Sequence, residues 1–342
     1  SSARAKGALL VEYRVRTEGI KNERARAAVD KMSIQTAHER FGHCSEDRTR
    51  AVAKALGLEL SRGTLSPCAA CAAAKAKQKN VPKKSDHVAS KESNGRIYLD
   101  IATIKKVMNG PTVTKPNWRI MVDEKTNLKF SDFYQTKDGM VEPTCEQFNR
   151  WKQAGRPVKF VRLDNAGENK TLQARAKSAD WKFDIDFEFT SRETPQQNHY
   201  AELGFTVLAN KGRVVMHRAN VPLLLRYKVW REAFKTVTLL DGLIPTEIDG
   251  VTATRYVHWG GTNPTFAKHL RTWGEAGTVK LKIKATPRVA DRGVQCMMVG
   301  YATDHDGDCY RMWDPNTTRV HESRDVIWLK RMFFQKQVPA VD

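Results

Sequence analysis

Negative charge is in short supply in this chain. Its 342 residues hold 38 Asp and Glu against 58 Lys and Arg, for a net charge of +20. A field of that size draws polyanions and makes their binding salt-sensitive, so nucleic acid is the partner class it suggests; a basic protein that merely stays soluble is the plainer alternative. Long apolar runs are missing as well. With a mean hydropathy of −0.56 and no 18-residue apolar stretch, the sequence argues against a membrane span. No signal peptide is visible, and the chain opens Ser1-Ser2 without Met, which reads as a processed or excised piece of something longer. Cysteine is scarce too. Cys44, Cys68, Cys71, Cys145, Cys296 and Cys309 are too scattered for a disulfide framework, and a CxxC pair among them fits metal ligation in a reducing, intracellular setting. The length exceeds one ordinary core, so roughly two to four modules are expected.

What is present begins with ligand-type residues near the N-terminus. Residues 1–37 carry helical stretches around 9–15 and 22–32 but no chemistry. Then come His38-ERFG-His43 and Cys68-AA-Cys71, with four residues between the histidines, 24 before the first cysteine and two between the cysteines. Two imidazoles and two thiolates complete a tetrahedral set for structural Zn²⁺, and a helix through AVAKALGLEL would pack over it. Cys44, beside His43, is a competing ligand. Residues 74–95, rich in lysine, read as an exposed linker, either a solvated charge run or a track for phosphate or an import signal.

Residues 96–103 alternate as a strand, with Ile97, Leu99 and Ile101 to one side and Tyr98 and Asp100 to the other. A hairpin follows, with Ile120 and Val122 in its first strand, a polar turn at 124–127, and 130–134 returning. Residues 141–155 read as a helix with Phe148 and Trp151 inward. VKFVRLD (158–164) reads as a strand that delivers Asp164 at its C-terminal end, where open α/β sheets bind ligands. A helix over 172–181 and a strand over 183–190 come next. The polar stretch 194–198 leads into a helix carrying Glu202. At about 100° per residue, Asn198, Glu202 and Arg213 share one face of it. Lys211 and Arg218 suit either solvent or DNA, and His199 suits the helix start. Asp100, Asp164 and Glu202 are then three carboxylates held at the edge of one sheet. Such a set suits divalent metal, since two ions about 3.5–4 Å apart can activate an attacking oxygen and stabilise a leaving one in phosphoryl transfer.

Residues 221–243 form an apolar helix that completes the core, and 244–268 are loop-rich. From Thr278 the pattern turns to short strands (TVKLKIK, VQCMMVGYA, DCYRMWDP, RVHESRDVIWL), which predicts a small β-barrel whose first strand and loop carry Lys280, Lys282, Lys284 and Arg288.

By HERFGH with CAAC, YLDIAT, RLDNAGEN, TPQQN followed by AE, HLRTWG (269–274), VGYATDHDGDCYRMWDP (299–315) and SRDVIW (323–328), residues 38–330 resemble the integrase of copia-type LTR retrotransposons, a relative of the retroviral integrases. The resemblance implies a multidomain α/β chain. After an N-terminal extension (1–29) come a helical HHCC zinc-binding domain (30–75), a basic linker (76–95) and an RNase H-like core with a mixed five-stranded sheet and helices (96–243). A connecting segment (244–277), a C-terminal β-barrel (278–330) and a tail (331–342) follow.

It implies His38, His43, Cys68 and Cys71 as Zn²⁺ ligands, and Asp100, Asp164 and Glu202 as catalytic acids holding two Mg²⁺ or Mn²⁺ ions. The activity implied is strand transfer into target DNA, with 3′-end processing where that step is used. Element ends and target would be double-stranded DNA, bound by a homo-oligomer in the nucleus and in cytoplasmic virus-like particles. DNA contacts are expected from Gln197, Asn198, Lys211 and Arg213 at the acidic helix and from Lys280 and Lys282 in the terminal domain. The chain departs from its relatives at His199, where Gly is common, at Leu203, where Arg is common, and in the 37-residue spacing between the second and third acids. None of these removes a ligand. Two rivals are a nuclease for RNA–DNA hybrids and a non-catalytic or domesticated nucleic-acid-binding derivative.

Overall fold

The Ser33 hydroxyl accepts the Thr36 amide at 3.0 Å, satisfying one of the free N–H groups at the start of α1 (Ile34–Arg40). The structure, a computed structural model, describes residues 31–75, 89–105, 112–190, 198–280 and 291–335. The expected N-terminal helices lie largely outside these residues, as do most of the basic linker, Gln197 and Lys282. Helix α2 (Glu46–Ala55) opens on Glu46 and Asp47, whose charges suit a helix N-terminus, and buries Val52 and Ala53. The helix expected through AVAKALGLEL (51–60) thus begins five residues earlier and ends at Ala55, and α3 (Ala69–Lys75) carries Cys71 of the CxxC pair.

A mixed sheet comes next. β1 (Arg96–Thr103), β2 (Asn117–Asp123) and β3 (Lys129–Tyr134) are antiparallel neighbours. The β2–β3 turn falls at the expected residues. Asp123 accepts the Thr126 amide at 3.0 Å, and Asn127 adopts the left-handed conformation (φ 55°) that asparagine tolerates. After α4 (Val141–Gln153), β4 (Phe160–Leu163), α5 (Gly167–Ala176) and β5 (Asp186–Phe189), the sheet order is β3-β2-β1-β4-β5, with β4 parallel to β1 and β5 parallel to β4. Two long helices, α6 (His199–Arg218) and α7 (Leu223–Asp241), complete the unit.

The alternation read in β1 sorts the core. Ile97, Leu99 and Ile101 pack with Met121, Val161 and Leu163 against Cys145, Phe148 and Trp151 of α4 and Leu172 of α5. Tyr98, Trp118, Ile120 and Val122 face α6 and α7 instead. Helices thus cover both faces. The α5 helix starts five residues before the expected 172 because the chain turns into it directly after β4. It stops at Ala176 in turns that place Lys182 at φ 46°.

The segment 244–268 is more regular than its composition suggests. It forms a hairpin, β6 (Pro245–Ile248) with β7 (Val251–Thr254), and α8 (Arg255–Gly260), capped by Thr254 and closed by Gly261 at φ 85°. The terminal strands are β8 (Glu275–Lys280), β9 (Gly293–Tyr301), β10 (Tyr310–Trp313), β11 (Val320–Ser323) and β12 (Val326–Met332). RVHESRDVIWL is therefore two strands, separated where Ser323 Oγ accepts the Asp325 amide at 3.1 Å. Their order, β11-β10-β9-β8-β12, describes an antiparallel five-stranded sheet where the small β-barrel is expected. Because its outer strands are joined by Arg324 and Asp325 alone, the sheet must curl strongly.

The first and last modules share one core. Phe41, Cys44 and Val52 pack with Leu240 and Ile244 and with Phe266, Met298, Tyr301 and Met312. Among the described residues no helix is long and apolar enough to cross a membrane.

Candidate active site and metal centre

The parallel register of β1 and β4 brings two of the acids together. Arg96 lies opposite Phe160 and Tyr98 opposite Arg162. Continued by two residues, the same register sets Asp100 beside Asp164, on neighbouring strands roughly 4.8 Å apart. Asp164 is fixed by its own turn. Its Oδ1 accepts the Ala166 amide at 3.2 Å and Asn169 Nδ2 at 2.5 Å, while Asp100 accepts the Ile101 amide at 2.7 Å.

Helix α6 supplies the third acid because it can lie close on the sheet. A Cβ at Gly204 would meet Ile120 Cδ1 at 2.7 Å and Val122 Cγ2 at 3.3 Å, so glycine lets the helix approach without displacing these side chains. Tyr200 of α6 packs on Tyr98 with ring centroids 4.7 Å apart. That contact seats the first turns of α6 over the face from which Asp100 projects. Glu202 and Asp164 are exposed, and Asp100 is half-buried. Burial pushes the Asp100 carboxyl up to about 6, and the charges of Asp164 and Glu202 add to the shift while Lys137 opposes it. The three acids therefore sense one another, although they are not gathered as tightly as the His/Cys set described below. Like charges held together by packing are an arrangement that a bound cation relieves.

Three neighbours went unread in the sequence. Asn169 holds Asp164, and Glu168 pairs with Lys137 at 2.9 Å. Glu168 and Asn169 stand in the first turn of α5 and are the last two residues of the RLDNAGEN motif, so the signal was present although no role was read for them. Lys137 comes from the loop after β3 and had none.

The expected DNA contacts divide. Arg213 is exposed on α6 and pairs locally with Asn210. Lys280 is exposed at the end of β8. Lys211 is a correction. It is 6% exposed, and its ammonium lies 2.6 Å from Asp241 Oδ1, so it faces the core and presents no charge to DNA. Asn198 is likewise buried and donates to the Leu99 carbonyl at 3.3 Å, which ties the start of α6 to β1.

Near the C-terminal end of α6, where Arg218 pairs with Glu39 of α1 at 2.8 Å, His38, His43, Cys68 and Cys71 place one ligand atom each within 4.8 Å of all the others. His38 Nε2 to His43 Nδ1 is 3.0 Å, His38 Nε2 to Cys71 Sγ is 3.3 Å, and His43 Nδ1 lies 3.5 Å and 3.6 Å from Cys68 and Cys71. A tetrahedral zinc with ordinary bond lengths spaces its N and S ligands by about 3.3–3.8 Å, so the set fits that ion. His38 Nδ1 donates to the Cys44 carbonyl at 2.7 Å, which fixes the tautomer and turns Nε2 toward the other three. Both imidazoles are held neutral, as ligation requires. Burial lowers His38, and burial with the adjacent His38 lowers His43 to about 2. Burial also pushes the Cys71 thiol up to about 11, a proton that a metal would have to displace. Cys44 is no ligand. Its thiol is buried and donates to the Phe41 carbonyl at 3.1 Å.

A mixed α/β sheet edged with acids beside a His/Cys metal set defines a class of multidomain protein, and sequence comparison narrows it. Residues 282–341 match the retroviral polymerase SH3-like domain. Over 321 residues, 92% of this chain, the sequence is 25% identical to the retrovirus-related Pol polyprotein from transposon TNT 1-94 of Nicotiana tabacum. The chain spans only 23% of that relative's length. A cryo-EM structure of a simian T-cell lymphotropic virus intasome in complex with PP2A regulatory subunit B56 gamma aligns over 70% of this chain and 83% of its own, at 11% identity and a TM-score of 0.33. The chain is thus similar along most of its length to a part of a transposon-encoded, retrovirus-related Pol polyprotein.

Proposed function

We propose that this chain is a copia-type retrotransposon integrase, a DDE polynucleotidyl transferase whose RNase H-like core (residues 96–243) joins element DNA ends to target DNA. The observation that supports this reading is the charge of Asp164 and Glu202 felt at Asp100, in keeping with a β1–β4 register that, continued two residues past Tyr98 and Arg162, would pair Asp100 with Asp164. Asp100, Asp164 and Glu202 would hold the catalytic ions. Their carboxylate oxygens are hard donors that suit Mg²⁺ or Mn²⁺, and the mutual repulsion visible at Asp100 favours such an occupant. Bound there, a pair of divalent ions supplies Lewis-acid stabilisation of the charge that develops on phosphoryl transfer.

The chain's own groups account for the rest. The Asp164 turn and Asn169 keep one carboxylate in place, and Tyr98, Tyr200 and Gly204 set the depth of α6. In the joining step the 3′-hydroxyl oxygen of the element end forms a new P–O bond while the 3′-oxygen of the broken target strand leaves. No covalent protein intermediate is involved. The zinc domain (30–75) and the terminal domain (278–330) would contact double-stranded DNA and neighbouring copies, in a homo-oligomer acting in the nucleus and in cytoplasmic virus-like particles. Arg213, Lys280, Lys282 and Gln197 remain the proposed DNA contacts.

The test is strand transfer from a short duplex carrying the element end into a supercoiled plasmid, with Mg²⁺ or Mn²⁺. Wild type is compared with Asp164→Asn and Glu202→Gln. Joined products from wild type alone support the proposal. Tight DNA binding with no joining under any metal identifies a non-catalytic derivative.

A further inference from the structure

Lys137 is the basic neighbour of the acid cluster. It stands in the loop between β3 and α4, immediately before the 3₁₀ turn Asp138–Met140. Its ammonium lies 2.9 Å from Glu168 Oε1, and the two side chains are 45% and 13% exposed. Glu168 is the inner member of the pair and sits in the first turn of α5, next to Asn169, which holds Asp164. The chain of contacts Asp164–Asn169 and Glu168–Lys137 therefore fixes a cation at the margin of the three acids. Its field reaches them, since Lys137 draws Asp100 down while Glu168, then Asp164 and Asp100, raise Lys137.

The arrangement divides the labour between two carboxylate types. A lysine free to swing would collapse onto Asp100 or Asp164 and compete with metal there. Glu168 supplies the counter-charge from outside the triad and leaves about half of the Lys137 side chain open to solvent. A strongly hydrated, three-donor ammonium in that setting is suited to a phosphate oxygen, as a point charge with no base preference.

We propose that Lys137 is a substrate-binding residue that grips a backbone phosphate of the DNA at the reacting site, and that Glu168 is the positioning residue that holds it there. This rests on the function proposed above.

Two measurements test it. Duplex binding without added divalent metal is followed across salt concentrations for wild type, Lys137→Ala, Lys137→Arg and Glu168→Gln, and joining kinetics are then measured with Mn²⁺. Loss of one phosphate contact flattens the slope of log K against log[salt] by about one. Lys137→Ala is expected to show that change, with a raised KM for the DNA end and a smaller effect on kcat. Lys137→Arg restores the slope, and Glu168→Gln falls between them. An unchanged slope and KM in Lys137→Ala overturns the proposal, as does a loss that merely follows a lowered Tm. If wild type joins no DNA, the proposed function fails, and the salt slopes still decide whether Lys137 holds a phosphate.

Discussion

Lys211 of α6 and Asp241 of α7 form a buried ion pair at 2.6 Å, at the seam between the two longest helices. Asp241 also binds Lys129 of β3 at 2.8 Å and Arg255 of α8, so one carboxylate answers three buried cations from three elements. Burial alone would raise the Asp241 carboxyl, but Lys129, Lys211 and Arg255 outweigh it and hold the group well below the usual aspartate range.

Asp241→Asn is expected to cost on the order of 3–5 kcal/mol, since it strands buried cations. A folded-state pKa below the unfolded one gives stability that is complete above the unfolded value, about 3.9, and is lost as pH falls through the folded value. Wild type should therefore lose this contribution below about pH 4, and the variant should show a shallower acid limb. Urea unfolding from pH 2 to 7 checks both. Equal stabilities would mean that the cluster holds nothing together.

Glycine 212 meets a different kind of constraint. A Cβ there would fall 2.3 Å from Phe234 Cδ1, and Phe234 is wedged between Trp118 and Trp230. Gly212→Ala should thus destabilise by about 1–3 kcal/mol through overpacking, despite the better helix propensity of alanine. Thermal unfolding that shows a gain would mean that Phe234 yields easily.

Much of this was legible beforehand, and the reason lies in the period of the pattern. Alternation in residues 96–103 assigns Ile97 and Asp100 to opposite faces whatever the strand pairs with, and two histidines and a CxxC pair announce a metal set by ligand type even though 24 residues separate them. What sequence cannot convey is which distant residue answers a charge. Lys211 reads as one more lysine on a basic helix until Asp241, thirty residues on, turns it inward. Residues 244–268 read as loop because their strands are four residues each and lean on α2 and on one another. The sheet order that unites Asp100 with Asp164 is likewise a long-range fact.

Metal should stabilise the core in a pH-dependent way. With Asp100 raised to about 6, the folded state holds that proton more tightly than the unfolded chain does. Ionisation between about pH 4 and pH 6 therefore costs stability, and the cost is complete above that window. Mn²⁺ is expected to raise Tm at pH 7.5 and to have little effect at pH 5. Asp100→Asn should be the more stable form without metal and should gain less from Mn²⁺. Identical Mn²⁺ responses in the two proteins would remove Asp100 from the binding site.

Zinc removal should reach beyond its own ligands. His43→Ala or Cys71→Ser is expected to abolish the one equivalent of Zn²⁺ that wild type releases to a colorimetric chelator. Because Phe41 and Val52 share a core with Met298 and Tyr310, against which Trp328 packs, the environment of Trp328 should change as well. Near-UV circular dichroism that keeps its tryptophan bands after chelation would show the zinc module to be dispensable to the terminal sheet.

That shared core also sets a timetable for biogenesis. The apolar side of α1 and α2 emerges from the ribosome early, yet the residues that cover it begin only with Leu240 and Ile244 and run on to Trp328. At ordinary elongation rates the interval is on the order of tens of seconds. Throughout it, metal ligation can shape the first helices but cannot bury their outer face. The nascent chain must therefore keep a greasy, half-finished surface out of trouble until the terminal strands arrive.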